Sequence, residues 1–218
     1  LVGFIAVCNF DTQSVVQRMA DRIESRGPDD SGFWQDNRYG IALGHRRLSI
    51  LDLSPAGHQP MHSASGRYVI AFNGEIYNHL DLRCELEAKG VPAWRGHSDT
   101  ETMLAGFDEW GIRQTVEQAI GMFAFAVWDK SLRVLTLVRD RLGEKPLYYG
   151  WQGTGSRRAF LFGSELKALK VHPAFSAAID RGALCLMLRH NAIPAPYSIY
   201  EGIAKLDPGC MLSLSLDR

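Results

Sequence analysis

The chain has 218 residues, of which 46% are hydrophobic and 22% are charged, and its 24 Lys and Arg balance 24 Asp and Glu. This composition is typical of a folded globular protein, and it excludes an intrinsically disordered, collagen-like or disulfide-stapled chain. The formal net charge of zero gives no electrostatic reason to expect a nucleic acid or an anionic membrane as a partner.

Short apolar runs rich in β-forming residues predict a series of strands. In chain order these runs are residues 2–7, 41–43, 68–72, 123–128, 134–138, 147–151 and 159–163, and an alternating run follows at 211–216. Turn-forming residues at 129–131 and 153–156 separate neighbouring runs in the manner of hairpins. We therefore expect mainly antiparallel pairing, because crossover helices are too few for a parallel sheet.

Helical periodicity and end signals predict helices between the strands. One helix is bounded by Asn78, a candidate N-cap, and by Gly90. A sharper signal is the S-x-x-E capping box of Ser98 and Glu101, which places Asp99 in the first helical turn. Weaker helix candidates lie at residues 15–24, 164–170 and 181–188.

The composition shifts near the end of the chain, where Pro and Gly interrupt an apolar stretch at 192–209 that cannot form a regular helix. We interpret residues 1–191 as one domain and residues 192–218 as its C-terminal edge. That edge leads towards a further domain, so we expect the chain to be part of a longer protein.

The four Cys residues form no CxxC pair and no cluster with His at metal-ligand spacing. We interpret them as reduced thiols and expect no metal site in this chain. No apolar run approaches the roughly 18 residues of a transmembrane helix, and we expect a cytoplasmic protein.

Three local patterns each have a structural and a chemical interpretation. The Asn73-Gly74 pair, between two apolar runs, by itself predicts a type I′ hairpin turn. The segment RGPDDSG at 26–32 predicts a turn-forming loop, although its paired carboxylates would also suit acid–base chemistry. The segment GHRRLSILD at 44–52 carries adjacent basic side chains, which more often form a solvated edge than an anion site.

Eight longer segments occur in order along almost the whole chain. They are GFIAV at 3–7, RGPDDSG at 26–32, LGHRRLSILDLSPAGHQPM at 43–61, FNGEIYNH at 72–79, SDTE at 98–101, GMFAFAVWD at 121–129, RDRLGEKPLYY at 139–149 and SELKAL at 164–169. In this order they resemble the class II, N-terminal-nucleophile (Ntn) glutamine amidotransferase domain, most closely that of the glutamine-dependent asparagine synthetase family. A single match such as NGE is weak, but eight in register are highly specific.

The resemblance implies an α+β fold, an Ntn-hydrolase αββα sandwich of two mainly antiparallel sheets. It implies a domain that hydrolyses the side-chain amide of glutamine to glutamate and ammonia. In the parent ligase, a C-terminal synthetase domain would use that ammonia and ATP to make asparagine from aspartate. The alternatives are a related enzyme with another acceptor and a non-catalytic domain that binds or senses glutamine.

The same resemblance defines the partners and cofactors to be expected. This domain itself needs no cofactor and no metal, because ATP and Mg²⁺ belong to the synthetase domain. Its partners are glutamine and the C-terminal synthetase domain of the same parent chain, and a homodimer is compatible with the family.

The resemblance also assigns side chains to the charged ends of the substrate. Arg47 matches the arginine that holds the α-carboxylate, for which a planar guanidinium offers two parallel charge-assisted bonds. Asp99 and Glu75 match the acidic groups near the α-ammonium. A carboxylate at Asp99 would in addition complement the helix dipole.

Asn73 and Gly74 match the oxyanion hole, where a side-chain amide and a backbone N–H face the oxygen that becomes negative during the reaction. Backbone groups of the adjoining loop are implied to line the same pocket; these are Arg47, Leu48, Ser49, Ile50 and Leu51. The nearby histidines, His45, His58 and His97, are interpreted as structural, because the family mechanism needs no imidazole base.

The chain departs from the family pattern at Val2, where the family has its nucleophilic Cys directly before GFIAV. That Cys attacks through its thiol, and its own α-amino group, with an unperturbed pKa of about 7.7–8.0, serves as the base. Valine offers no nucleophile, and Leu1 in front would turn the amine into an amide, so we expect no activity from the chain as written. Either an otherwise active domain is altered here, which the retained pocket residues favour, or the domain is naturally inactive.

Overall fold

The computed structural model describes residues 1–6, 11–50, 52–91 and 94–216. The strands are β1 Val2–Ala6, β2 Asp30–Asp36, β3 Ile41–Arg47, β4 Met61–His62, β5 Tyr68–Ile76, β6 Gly121–Asp129, β7 Val134–Arg139, β8 Tyr148–Gln152, β9 Ala159–Gly163, β10 Ala204–Lys205 and β11 Met211–Ser215. The α-helices are α1 Thr12–Asp21, α2 His79–Ala88, α3 Asp99–Trp110, α4 Ile112–Gln118, α5 Leu166–Leu169 and α6 Arg181–His190.

The strands form two sheets, and every strand pairing in the described residues is antiparallel. One sheet has the order β10-β8-β9-β1-β3-β2 and the other the order β11-β7-β6-β5-β4. A cluster that includes Leu43, Val69, Trp128 and Phe162 packs between the sheets. Helices α1 and α5 cover the outer face of the first sheet, and α3 covers that of the second. The expected α+β fold, an αββα sandwich of two antiparallel sheets, is confirmed.

Burial on both faces explains why the central strands read as continuous apolar runs instead of alternating ones. In β1, Val2 and Phe4 face the helices of the outer layer, whereas Ile5 faces the inter-sheet core. All five residues of β1 are buried. Of the predicted run 2–7, residue 7 lies outside the described residues.

Strand β2 was not predicted, and the turn expected at 26–32 is correct only in its first part. Residues 27–29 form a loop after the short 3₁₀ turn Glu24–Arg26, but the chain is in strand β2 from Asp30, which pairs with Arg47. In the sequence DSGFWQD only Phe33 and Trp34 favour a strand, and Asp and Gly disfavour one, so pairing with β3 along the whole length of β2 supports its conformation.

The hairpin turn expected at Asn73-Gly74 is wrong. Both residues lie in the middle of β5, where Asn73 pairs with Ala124 and Gly74 with Phe123 of β6. Glycine is needed there for close approach, because a Cβ at Gly74 would collide with the carbonyl oxygen of Met122 and lie 2.6 Å from the Cα of Phe123. The Asn-Gly pair is therefore part of a continuous strand and forms no turn.

The Pro-rich segment at 192–209 leads into strands of both sheets. Within it β10 pairs with β8, and directly after it β11 pairs with β7 over five residues. The domain boundary expected between residues 191 and 192 stays a prediction. In the described part of the chain, no helix combines the length and the hydropathy needed to span a bilayer.

Candidate active site

A cavity of about 320 Å³ lies between the C-terminal ends of β3 and β5. Its lining includes His45 and Arg47 from β3, Asn73 and Glu75 from β5, and Asp99 from the first turn of α3. These residues are up to 54 positions apart in the chain, and the packing of β3 against β5 brings them together. The structure thus collects four side chains that the sequence assigned to the substrate: Arg47, Asn73, Glu75 and Asp99.

Arg47 is held by the loop that follows β3. Its Nη1 donates to the carbonyl oxygen of Ser54 at 3.1 Å, and its Nη2 donates to that of Asp52. Gly57 makes room for the guanidinium, since a Cβ there would lie 2.6 Å from the Arg47 Cζ. The side chain is 9% exposed, so an anion reaching it would meet a partly desolvated, pre-positioned cation.

Asp99 is the first residue of α3, as the capping signal predicted. The hydroxyl of Ser98 accepts from the backbone N–H of Glu101 at 3.2 Å, which confirms the cap. The reciprocal half of the box differs, because the Glu101 carboxylate accepts from the N–H groups of Arg95 and Gly96. Local sequence spacing therefore placed Asp99 correctly on the helix.

The Asp99 carboxylate also ties α3 to β5. Its Oδ2 accepts from the backbone N–H of Ile76 at 2.8 Å. Burial raises the pKa of Asp99 above its ordinary value, because a low-dielectric surrounding disfavours the charged form. A bound ammonium group would offset that cost, which suits a site for an α-ammonium.

The edge of β5 that faces away from β6 presents a series of backbone N–H groups to the cavity side. The N–H of Phe72 donates to Gln59 Oε1 at 2.6 Å, and the N–H of Ile76 donates to Asp99. Backbone N–H groups alternate in direction along a strand, so the N–H of Gly74 points to this same edge between the two. The edge strand β4 has ended by then, since it pairs only with Ile70 and Val69.

Asn73 supplies a second donor at this position. Its Nδ2 is buried and has no hydrogen-bond partner among the described residues. A buried donor without a partner costs free energy, and a ligand or water that bonded to Asn73 Nδ2 would remove that cost. Asn73 Nδ2 and the Gly74 N–H together have the chemistry of an oxyanion hole.

His45 also contributes a buried polar group to the cavity. It is 5% exposed, and its Nε2 donates to the carbonyl oxygen of Phe72 at 2.8 Å. Burial lowers the pKa of His45 to about 3, because charging an imidazole in this surrounding is unfavourable. The ring is therefore neutral at physiological pH.

The loop after Arg47 contributes unevenly to the cavity. Leu48 and Ile50 line it and are more than half exposed. The backbone N–H of Ser49 donates to Asp29 Oδ2 at 2.8 Å, and neither residue belongs to the described lining of the cavity. This N–H is therefore already bonded and is not directed at a ligand in the cavity. Leu51 lies outside the described residues.

Val2 occupies a different environment from the polar cavity residues. It is fully buried in the cluster that the six-stranded sheet shares with α1, and it pairs with Gly44 and Gly163. The described lining of the cavity does not include it. Its proposed correspondence to the family nucleophile stays a prediction.

Several lining residues were not singled out from the sequence. Among them are Arg26, Gln59, Met122 and Lys145. Each lies inside a segment that carries the family resemblance, but a segment does not tell which of its side chains face the cavity. Lys145 is positioned by the buried Asp140, whose carboxylate accepts from the backbone N–H groups of Leu142, Glu144 and Lys145.

The described residues contain no group of three or more His, Cys, Asp or Glu side chains that could hold a metal ion. Their cysteines, Cys84, Cys185 and Cys210, are unpaired. The cavity is instead lined by groups suited to a zwitterionic organic ligand with a carbonyl. These are a cation at Arg47, carboxylates at Glu75 and Asp99, and the donor at Asn73.

Comparison with known proteins agrees with this chemistry. The family model of the glutamine amidotransferase domain matches residues 1–218. The chain is 39% identical to "Asparagine synthetase [glutamine-hydrolyzing] 3" of Bacillus subtilis, over 94% of this chain and 32% of that protein. It is 36% identical to "Asparagine synthetase [glutamine-hydrolyzing] 1" of the same organism, over 100% of this chain and 34% of that protein. The chain therefore spans about a third of the length of these relatives.

A solved structure shows the same fold. It is titled "Structure of the allosteric regulatory enzyme of purine biosynthesis" and superposes with a TM-score of 0.70 at 18% identity, covering 99% of this chain and 47% of that one. At this identity the likeness concerns the fold only. It agrees with the αββα layering seen here.

Proposed function

Because this chain belongs to the glutamine amidotransferase domain family, we propose that its cavity binds free glutamine and that the domain delivers amide nitrogen within a longer, asparagine-synthetase-like protein. One observation carries the proposal. The buried, unpartnered amide of Asn73 shares a single cavity with Arg47 and Asp99. These groups correspond in kind to the carbonyl, α-carboxylate and α-ammonium of glutamine.

Each end of the substrate has a partner of opposite character. The α-carboxylate binds to the Arg47 guanidinium, and the α-ammonium binds to Asp99 with Glu75 nearby. The side-chain carbonyl accepts from Asn73 Nδ2 and from the Gly74 N–H. Since the two donors are fixed before the ligand arrives, no reorganisation is needed when negative charge develops on that oxygen.

Amide hydrolysis in this arrangement requires a nucleophile in the position that Val2 has here. A thiolate there attacks the carbonyl carbon, the C–N bond breaks, and ammonia leaves with a proton from the α-amine. Water then cleaves the thioester to release glutamate and regenerate the thiol. The residues of this chain bind the substrate and stabilise the oxyanion, but Val2 offers no attacking atom.

The use of the ammonia belongs to the parent protein. We propose that a C-terminal synthetase domain takes it up to make asparagine, as the names of the relatives suggest, and that this synthesis starts from aspartate and depends on ATP and Mg²⁺. Glutamine and that domain are then the partners of this chain, a homodimer is compatible with it, and no cofactor is needed here.

Glutamine binding by the chain as it stands tests the proposal. Calorimetric titration is expected to show binding, and Arg47→Ala to weaken it by about tenfold or more, because a hydrogen bond to a charged group contributes about 1.5–3 kcal/mol. Arg113→Ala is the matched control, since Arg113 is exposed, pairs with the exposed Glu117 on α4 and does not line the cavity. Absence of glutamine binding, or equal weakening by both variants, would refute the assignment of this cavity.

Restoring the nucleophile tests the catalytic part of the proposal. Val2→Cys alone is expected to give little or no glutamate release, because the thiol enters an apolar cluster that raises its pKa and Leu1 still acylates the α-amine. Val2→Cys combined with replacement of Leu1 by a removable Met exposes the thiol and the amine together, and activity is then expected.

Asn73→Ala in the restored background should lower the rate by about 10²–10³ through loss of an oxyanion donor. If the unmodified chain released glutamate at the rate of the restored one, another nucleophile would act and the role of position 2 would be wrong.

A glutamine-binding domain without catalysis is the second candidate. The full burial of Val2 in an apolar cluster favours it, because a side chain at this position then contributes to packing and not to the polar cavity. It predicts tight glutamine binding together with continued inactivity after the double change at positions 1 and 2.

A further inference from the structure

Three residues that line the cavity carry a buried polar atom without a hydrogen-bond partner among the described residues. The atoms are Asn73 Nδ2 and Arg46 Nε, which are donors, and His45 Nδ1. The Arg46 guanidinium is already engaged by α1, since its Nη2 donates to Asp21, which leaves Asn73 and His45. These two residues are also held close to each other, because the His45 ring is bonded to the carbonyl oxygen of Phe72, the residue that precedes Asn73.

The chemical character of His45 Nδ1 follows from the bond at the other ring nitrogen. A carbonyl oxygen only accepts, so the Nε2 of His45 must carry the hydrogen that it donates to Phe72. In a neutral imidazole the second nitrogen is then an acceptor. The lowered pKa of His45, due to burial, keeps the ring neutral and Nδ1 unprotonated.

Asn73 and His45 therefore contribute one unpaired donor and one unpaired acceptor to the residues that line the cavity. A primary carboxamide has the complementary pair, since its oxygen accepts and its NH₂ donates. A carboxylate does not, because both of its oxygens only accept and one of them would face the lone pair of Nδ1. This pattern distinguishes an amide from the corresponding acid.

We propose that His45 Nδ1 accepts a hydrogen bond from the side-chain NH₂ of glutamine and so makes the cavity selective for glutamine over ligands that lack that donor. The inference rests on the proposed function, because it takes the carbonyl of the same substrate to lie on Asn73. It assigns His45 a role in specificity beyond its structural bond to Phe72.

The test compares two ligands that differ in one group. L-Glutamine carries the NH₂, whereas L-2-amino-5-oxohexanoate carries a methyl group there and keeps the carbonyl, the α-carboxylate and the α-ammonium. Calorimetric titration of the full chain gives the ratio of the two affinities. No turnover disturbs the measurement if the chain is inactive, and a glutamate-release assay run in parallel checks this.

Two variants separate the acceptor from the structural bond. His45→Gln places an amide N–H near the former Nε2, so it keeps the bond to Phe72 and loses the acceptor at Nδ1. His45→Asn places its amide oxygen near the former Nδ1, so it keeps an acceptor and loses the bond to Phe72. The thermal unfolding midpoint of each variant reports the structural cost independently of the ligand.

Unmodified chain is expected to prefer glutamine over the methyl ketone by about three- to tenfold, the range of one hydrogen bond. The preference should fall to near unity in His45→Gln and persist in His45→Asn. An unchanged preference in His45→Gln, an equal fall in both variants, or no preference in the unmodified chain would overturn the inference. Lack of glutamine binding by the unmodified chain would instead refute the proposed function itself.

Discussion

Single residues in this cavity combine a structural bond with a free functional group. Asp99 accepts from Ile76 through Oδ2, and His45 donates to Phe72 through Nε2. In each case one bond fixes the side chain. His45 Nδ1 has no partner among the described residues, and Asp99 Oδ1, which also accepts from the Thr100 hydroxyl at 3.4 Å, keeps a lone pair for a ligand. A side chain that is already fixed in this way loses less conformational entropy when a ligand binds. It also means that truncation to alanine would mix the two roles, so isosteric changes are more informative.

Asp99→Asn separates the two roles of that carboxylate. Asn keeps an oxygen for the Ile76 N–H and removes a charge whose burial raises the pKa of Asp99. A raised carboxyl pKa means that the ionised form is less favourable in the folded state than in the unfolded chain. At pH 7 we therefore expect Asp99→Asn to be as stable as the original chain or more stable, while glutamine affinity falls by about tenfold or more.

The control for Asp99→Asn is Asp108→Asn on the same helix, where the carboxylate is exposed and accepts from Ser65 Oγ at 2.6 Å. It should leave glutamine affinity unchanged. Thermal unfolding and calorimetry on both variants decide the matter, and a large loss of stability in Asp99→Asn would contradict the argument from burial.

At the scale of elements, the cavity exists because β4 is shorter than β5. Where β4 ends, side chains of Gln59, His45 and Asp99 take over hydrogen bonds along the edge of β5. The strand thereby keeps its backbone groups satisfied while leaving the Gly74 N–H facing the cavity. An open stretch at the edge of β5 thus lines the cavity instead of pairing with a further strand.

Gly74→Ala tests the close approach of β5 and β6. A Cβ at this position collides with backbone atoms of Met122 and Phe123, which cannot rotate away as a side chain would. We expect a loss of about 1–3 kcal/mol in the free energy of unfolding, together with weaker glutamine binding as Asn73 is displaced.

Gly182→Ala in α6 is the comparison, since its Cβ would meet only the end of the Asp180 side chain, at 3.1 Å. Gly182 lies in the first turn of α6, where helix propensity favours alanine by at most roughly 0.5–1 kcal/mol, so we expect Gly182→Ala to cause little or no loss of stability and Gly74→Ala a clear loss. Denaturant unfolding measures the free energy of unfolding of both variants. An unchanged free energy of unfolding in Gly74→Ala would show that the paired strands β5 and β6 tolerate a side chain at this position.

At the scale of the whole molecule, two buried histidines couple folding to pH. Burial lowers the pKa of His45 to about 3 and that of His172 to about 4, from an ordinary value of 6.5. Both imidazoles are neutral in the folded protein at pH 5, whereas they are largely protonated in the unfolded chain. Their contribution to stability is thus complete above pH 6.5 and declines as the pH falls towards the folded pKa values.

Between pH 6.5 and 5, each of these histidines should lower the free energy of unfolding by up to about 1.4 kcal/mol per pH unit. His172→Asn keeps an acceptor for the Ala174 N–H, which now bonds to His172 Nδ1 at 3.1 Å, and removes one titrating group. The slope of stability against pH should then decrease by about one proton. An unchanged slope in chemical denaturation at several pH values would show that His172 is protonated in the folded state.

What the sequence determined by itself is local or compositional. The Ser98 cap and the placement of Asp99 depend on atoms three residues apart, and the apolar runs were sufficient to locate most strands. The resemblance of eight segments identified Arg47, Asn73, Glu75 and Asp99 as a set. Local conformational propensity predicted loops or turns at β2 and at Asn73-Gly74, whereas both segments are strands. Pairing with a neighbouring strand outweighs the local preference there.

Only the tertiary structure decided which side chains share the cavity and what each still has free. His45 and Phe72 are 27 residues apart, and Asp99 and Ile76 are 23 apart, so no local pattern reports their bonds. Likewise, the sequence comparison with the family indicated that Val2 stands where the family has its nucleophilic Cys. Only the tertiary structure shows that Val2 is buried in the layer shared with α1. Such facts follow from how two sheets pack, which depends on the sum of many weak contacts across the whole chain.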